Sequence, residues 1–116
     1  MPDTSTNHEI SLQVAIDMTT LYRQNRPVNF PICETFHKAA VVALLENIDA
    51  AYMRIYYGMK EDLSVHAILV AADAAEEDLL PQDSSAGSMQ NAQQNVILED
   101  GFRCPQYCPP PYSLNT

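Results

Sequence analysis

Three thiols and three imidazoles carry most of the chemistry this chain could perform. Cys33 and His37 stand four residues apart, and Cys104 and Cys108 repeat that spacing in "CPQYC". Residues i and i+4 of a helix share a face, so Cys33 and His37 would point the same way. Joined to Cys104 and Cys108, they would complete the Cys₃His donor set of a closed structural zinc site. Soft thiolates with one imidazole suit that metal. Two features weigh against it. The C-x₃-C spacing lacks the tight knuckle of known zinc motifs, and a proline after each cysteine restricts the turn that would wrap a metal. The plainer reading leaves Cys33 and His37 as ordinary first-turn residues and the two later thiols unpaired.

A thiol-redox role needs a cysteine whose pKa is lowered by a helix start or a nearby cation. Cys33 lies at the beginning of an expected helix and Cys104 follows Arg103, but Glu34 opposes a thiolate at Cys33 and no C-x-x-C is present. A Cys-Pro dipeptide can also offer sulfur to haem iron, although so short a pattern recurs by chance. A separate constellation is Arg54, Tyr56 and His66, which could line a small-molecule pocket on a sheet, with a histidine suited to titrate near neutrality. A mid-strand histidine is more often an ordinary hydrogen-bonded residue. Glu76, Glu77 and Asp78 read as a solvated acidic face without the alternating oxygen ligands of a calcium loop. With only three glycines the chain has no phosphate cradle, nucleophile elbow or H-E-x-x-H pattern. The sequence therefore leans away from an enzyme and names no catalytic residue.

The elements that would position these groups follow from periodicity. "ISLQVAIDMTTLYRQNRP" predicts a first helix with Ser11 as N-cap and an apolar stripe of Leu12, Ala15, Ile16, Thr19 and Tyr22. Arg23 and Arg26 favour its negative end, and Pro27 stops it. "ICETFHKAAVVALLENIDA" predicts a second helix burying Phe36, Ala39, Ala40, Ala43, Leu44 and Ile48. "YMRIYYGM" and "LSVHAILVAAD" are rich in β-branched and aromatic residues and predict a hairpin around "KED". The second strand is apolar on both faces, which calls for cover on both, by the helices and by a second subunit. "AAEEDLLP" reads as an acidic exit, "QDSSAGSMQNAQQN" as a flexible linker and "VILED" as a possible short third strand.

The fold class is thus α+β: two N-terminal helices on a small antiparallel sheet. The divisions are a disordered segment 1–8, a core 9–80, a linker 81–95, and 96–116 with a short strand and an extended Cys/Pro tail. Tyr107 and Tyr112 in that tail would lie over exposed apolar sheet. A net charge of −9, with six scattered basic residues, repels phosphate backbones and anionic lipid. No basic n-region with an apolar run opens the chain, and no stretch approaches a membrane span. An odd number of cysteines suits a reducing compartment. The expectation is a cytoplasmic protein that binds neither nucleic acid nor membrane.

The segments "MTTLYR", "RIYYGM" and the Cys-Pro tail, in this order, resemble a group of short bacterial proteins of uncharacterised activity. The resemblance implies the segment order and carries no functional residue. The leading expectation is a non-catalytic module that forms a homodimer or binds a protein partner. Its alternatives are a zinc or thiol-redox protein and a small-molecule pocket, with zinc the one cofactor considered.

Overall fold

The computed structural model describes residues 6–81 and 95–116. The expected linker over 81–95 falls almost wholly on residues outside that description, as does most of segment 1–8. The chain forms a mixed α+β fold with two helices and two small antiparallel sheets.

Helix α1 spans Leu12–Asn25. Its start is set by Ser11, whose Oγ accepts the Val14 N–H at 3.1 Å, satisfying one of the donors that a helix leaves open at its first turn. Arg26, just before Pro27, has left helical geometry, as a residue preceding proline does. Ala15, Ile16, Thr19 and Tyr22 are half-buried, whereas Leu12, Val14, Met18 and Leu21 are exposed. No residue of α1 is fully buried.

The second helix is shorter than its composition suggests. Helix α2 spans only Lys38–Leu45, and its packed side is Ala40, Val41 and Leu44. Ala39 and Ala43 are exposed and Ile48 lies beyond the helix, 92 % exposed. The residues before it, Cys33–Thr35, are strand β1. They pair antiparallel with Phe102–Cys104, here the last strand, in the register Cys33–Cys104, Glu34–Arg103 and Thr35–Phe102. A partner nearly seventy residues away thus captures backbone that local pattern assigns to a helix. Cys33 and His37 are therefore not one helical turn apart.

The second sheet is the expected hairpin with an added strand. Strand β2, Tyr52–Met59, pairs along its whole length with β3, Val65–Ala72, and β3 pairs with the two-residue β4, Asp78–Leu79; Phe102–Cys104 is accordingly β5. The β2–β3 loop closes with Leu63 N–H on the Lys60 carbonyl, and Asp62 Oδ1 accepts the Ser64 N–H. After β3, Asp73 turns the chain by accepting the N–H groups of Ala75 and Glu77. That turn brings Asp78–Leu79 back as a short strand within the segment expected to be an acidic exit. "VILED" contributes a single bridge, Leu98 to Leu69.

The core gathers where α2 meets β3. Leu44, Leu69 and Ala71 are buried together, with Phe36, Val41, Ala50, Ala67, Leu79 and Leu98 packed around them. Val65, Val70, Ala72 and Cys104 are buried as well. The two-faced apolar strand is therefore covered within one chain, whereas β2 and α1 each keep a run of exposed apolar residues. The tail is turned rather than extended. Asn115 bonds to Tyr112 and Pro110, and Arg23 of α1 grips the carbonyls of Leu114 at 2.6 Å and Thr116 at 2.8 Å. Tyr107 contacts the Phe102 ring but stays 60 % exposed, like Tyr112 at 63 %. Among the described residues no helix is long and apolar enough to cross a membrane.

Candidate functional site

The two sides of the hairpin sheet differ in how their backbone groups are satisfied. On the side of β3 away from β2, every stretch is engaged. Val65 N–H donates to the Asn29 carbonyl at 3.0 Å, and the Val65 carbonyl accepts from Arg103 Nε at 2.9 Å. Ala67 N–H donates to Glu34 Oε1 at 3.0 Å. Leu69 exchanges both bonds with Leu98, and Ala71 and Ala72 pair with β4. Glu34 and Arg103 face each other across the β1–β5 ladder, and both side chains reach the edge of β3. Two charged side chains here replace the backbone of a missing strand. Gly101 permits the approach: a Cβ there would stand 2.7 Å from the Phe36 ring and 3.0 Å from Glu34 Cγ. Glu34 Oε2, by contrast, is buried with no hydrogen-bond partner.

The outer side of β2 has no strand partner among the described residues. Met53, Ile55, Tyr57 and Met59 alternate onto one face and are 43 %, 45 %, 76 % and 59 % exposed. Next to them lies an apolar cleft of about 470 Å³, lined in part by Tyr22, Phe30, Ile55 and Tyr57. A long, bare strand without lysine or proline is the kind of edge that pairs with another chain. The one charged residue of β2, Arg54, is engaged inside the sheet.

On the opposite face two polar groups are kept apart. Arg54 Nη1 donates to Asp78 Oδ1 at 2.5 Å and to the Glu76 carbonyl at 3.1 Å. Tyr56 donates its hydroxyl to the other Asp78 oxygen at 2.5 Å. That phenol chiefly, and the guanidinium in addition, hold the Asp78 carboxyl below the usual carboxylate range. His66 stands opposite Gly58, not opposite Arg54 or Tyr56. A Cβ on Gly58 would meet Ile68 Cδ1 at 2.8 Å, so the Ile68 side chain lies over that glycine, between the two groups. Arg54 and Tyr56 converge on Asp78, while His66 has partners of its own.

Those partners form a chain. His66 Nε2 is 2.9 Å from Ser64 Oγ, which is 2.6 Å from Asp62 Oδ1. His66 Nδ1 approaches Glu99 Oε1 to 3.2 Å, but the pair lacks hydrogen-bond alignment and both atoms are buried. Lys60 Nζ lies 3.5 Å from the same Glu99 oxygen and 3.1 Å from Asp100. Serine, histidine and carboxylate in line look like nucleophile activation, yet the proton count argues otherwise. Ser64 has one hydroxyl hydrogen, and a carboxylate only accepts. With that hydrogen on Asp62, Nε2 is the donor toward Oγ, the reverse of a general base. The contacts with Ser64 also hold the Asp62 carboxyl below its ordinary range.

The four residues of the expected zinc set lie in one corner of the small sheet but do not form a donor set. Cys104 and Cys108 are joined by a disulfide, their Cα atoms 4.4 Å apart. The tight turn that closes it, with Tyr107 N–H on the Arg103 carbonyl, forms despite the intervening proline, and a bonded pair stands where the plainer reading left two unpaired thiols. Cys33 is a free, half-buried thiol opposite Cys104. Burial, and secondarily Glu34, push its pKa up. His37 stacks edge-on against Phe102, ring centres 5.5 Å apart. Among the described residues no group of three His, Cys, Asp or Glu side chains is placed to hold a metal ion.

Sequence reasoning singled out the cysteines, Arg54, Tyr56 and His66. It missed Glu34 and Arg103 as covers of a strand edge, and Asp78, Ser64 and Glu99 as partners. Only the short spacing of Asp62, Ser64 and His66 offered a signal that could have been found. No protein-family model, curated protein or solved structure matches the chain.

Proposed function

We propose that this chain is a non-catalytic self-association module whose contact surface is the outer edge of β2 and its exposed apolar face. The observation that carries the reading is an eight-residue edge with no strand partner among the described residues, beside exposed Met53, Ile55, Tyr57 and Met59. Two copies related by a two-fold axis would pair their β2 strands antiparallel. Such an arrangement is closed and self-complementary, so it stops at a dimer. It joins the two three-stranded sheets into one of six strands and covers the outer edge of β2 in both copies.

The charge sets a condition on this association. Each chain carries −9, so two copies repel at low ionic strength, and screening relieves that repulsion. A contact made by backbone pairing and apolar burial between acidic chains strengthens with salt. Sedimentation equilibrium across a range of protein and sodium chloride concentrations tests this. A dimer whose affinity rises with salt is expected. A monomer at every concentration would end the proposal.

A further inference from the structure

The corner that holds the disulfide contains a third sulfur. Cys33 is the direct ladder partner of Cys104. Opposed residues of an antiparallel pair have Cα atoms about 4.5–5.5 Å apart, inside the roughly 4.4–6.8 Å that a disulfide spans. Side chains alternate along a strand, so Cys33 and Cys104 leave the ladder on one side. Glu34 and Arg103 leave it on the other, toward β3, as their bonds to Ala67 and Val65 require. Access differs among the three sulfurs. Cys104 is 3 % exposed, Cys33 is half-buried beside the apolar cleft, and Cys108 belongs to an exposed turn.

We propose that Cys33, Cys104 and Cys108 form a thiol–disulfide exchange site, in which Cys33 trades places with Cys108 and delivers a reactive thiol to the surface. The Cys33 thiol, its pKa pushed up by burial, gives its proton to hydroxide as pH rises, and the thiolate attacks Sγ of Cys104. The Cys33–Cys104 bond forms as the Cys104–Cys108 bond breaks, and Cys108 leaves as the thiolate. One disulfide replaces another, with no net oxidation. Exposed Cys108 then attacks the disulfide of an external substrate, R–S–S–R. It forms the mixed disulfide with one half and expels the other as RS⁻. The substrate class is an accessible linear disulfide, because the attacking sulfur stands on an open turn rather than in a shaped pocket. Exchange depends on access of the attacking thiolate to the sulfur attacked, and the β1–β5 register sets Cys33 directly opposite Cys104.

The test is disulfide mapping after alkylation with iodoacetamide, on dilute protein so that exchange between molecules is negligible. In the unaltered chain the label is expected on Cys108, with Cys33 and Cys104 linked. Label confined to Cys33, with Cys104–Cys108 intact at all times, would overturn the proposal. Cys33→Ser is expected to lose all labelling of Cys108. A second variant needs no exchange step. In Cys108→Ser, air oxidation is expected to join Cys33 to Cys104 and eliminate both labels. Two thiols that remain fully labelled in that variant would also overturn it.

Discussion

Strands β2 and β3 are neighbours of equal length with comparably apolar sequences, yet the fold treats them in opposite ways. Along its second edge β3 is bonded by Asn29, Arg103, Glu34, Leu98 and β4. Its last four residues are all buried. Along its own second edge β2 has nothing among the described residues, and none of its residues is buried. The difference teaches where cover comes from. The groups that close β3 come from segments far away in sequence, so the fold spends its long-range contacts on one edge. Hydrophobicity alone does not decide which strand becomes interior; the supply of hydrogen-bonding partners does.

The comparison breaks most easily at the core. Leu69 is 5 % exposed and packs with Leu44 and Ala71. Leu69→Ala is expected to cost about 2–5 kcal/mol, as large-to-small changes in tight cores do, measured by urea unfolding. Substituting the exposed Ile55 of β2 by alanine should cost far less; equal losses would mean the two strands are not different in kind. Gly101→Ala comes next. The added methyl would collide with Phe36 and crowd Glu34, at about 1–3 kcal/mol for overpacking.

Glu34→Ala sharpens the contrast at a single bond. It leaves the Ala67 N–H without its acceptor, a loss of about 1–3 kcal/mol. Amide exchange at Ala67 should accelerate while Val65, held by Asn29, changes little. Glu34→Gln keeps a carbonyl acceptor and should recover most of the protection. If Ala67 exchanges equally fast in all three proteins, the carboxylate does not close that edge.

The smallest effect is the pH response. Asp62 and Asp78 both have carboxyl groups held below the ordinary range in the folded chain. A lowered folded pKa means that the stabilisation is present above the unfolded value and is lost as pH falls through the folded one. The thermal unfolding temperature should therefore fall as pH drops below the usual carboxylate range. Asp78→Asn should flatten part of that slope, and an unchanged slope would remove Asp78 from the account.

Particular residues show what the sequence made legible. Ser11 as N-cap, Pro27 as stop and the hairpin of β2 and β3 follow from local chemistry, and all three stand in the structure. The face carrying Met53, Ile55, Tyr57 and Met59 was readable from alternation alone. Cys33–Thr35 was not, because its strand exists only through pairing with Phe102–Cys104, and propensity yields to such contacts. For the same reason Cys33 and His37 were placed on one helical face, and the pairing of Cys33 with Cys104 was invisible. Arg54, Tyr56 and His66 do share a sheet face, but Ile68 over Gly58 separates them, a packing detail that spacing does not encode.

Backbone amide exchange in β2, followed as protein concentration rises, addresses the open edge most directly. The account predicts that amides on the outer side of β2 exchange quickly in dilute solution and become protected as copies associate. Those of β3 should stay protected throughout, and Tyr57→Lys should keep β2 fast at every concentration. Outer β2 amides as slow as those of β3 in a dilute monomer, or unchanged protection at all concentrations, would contradict it.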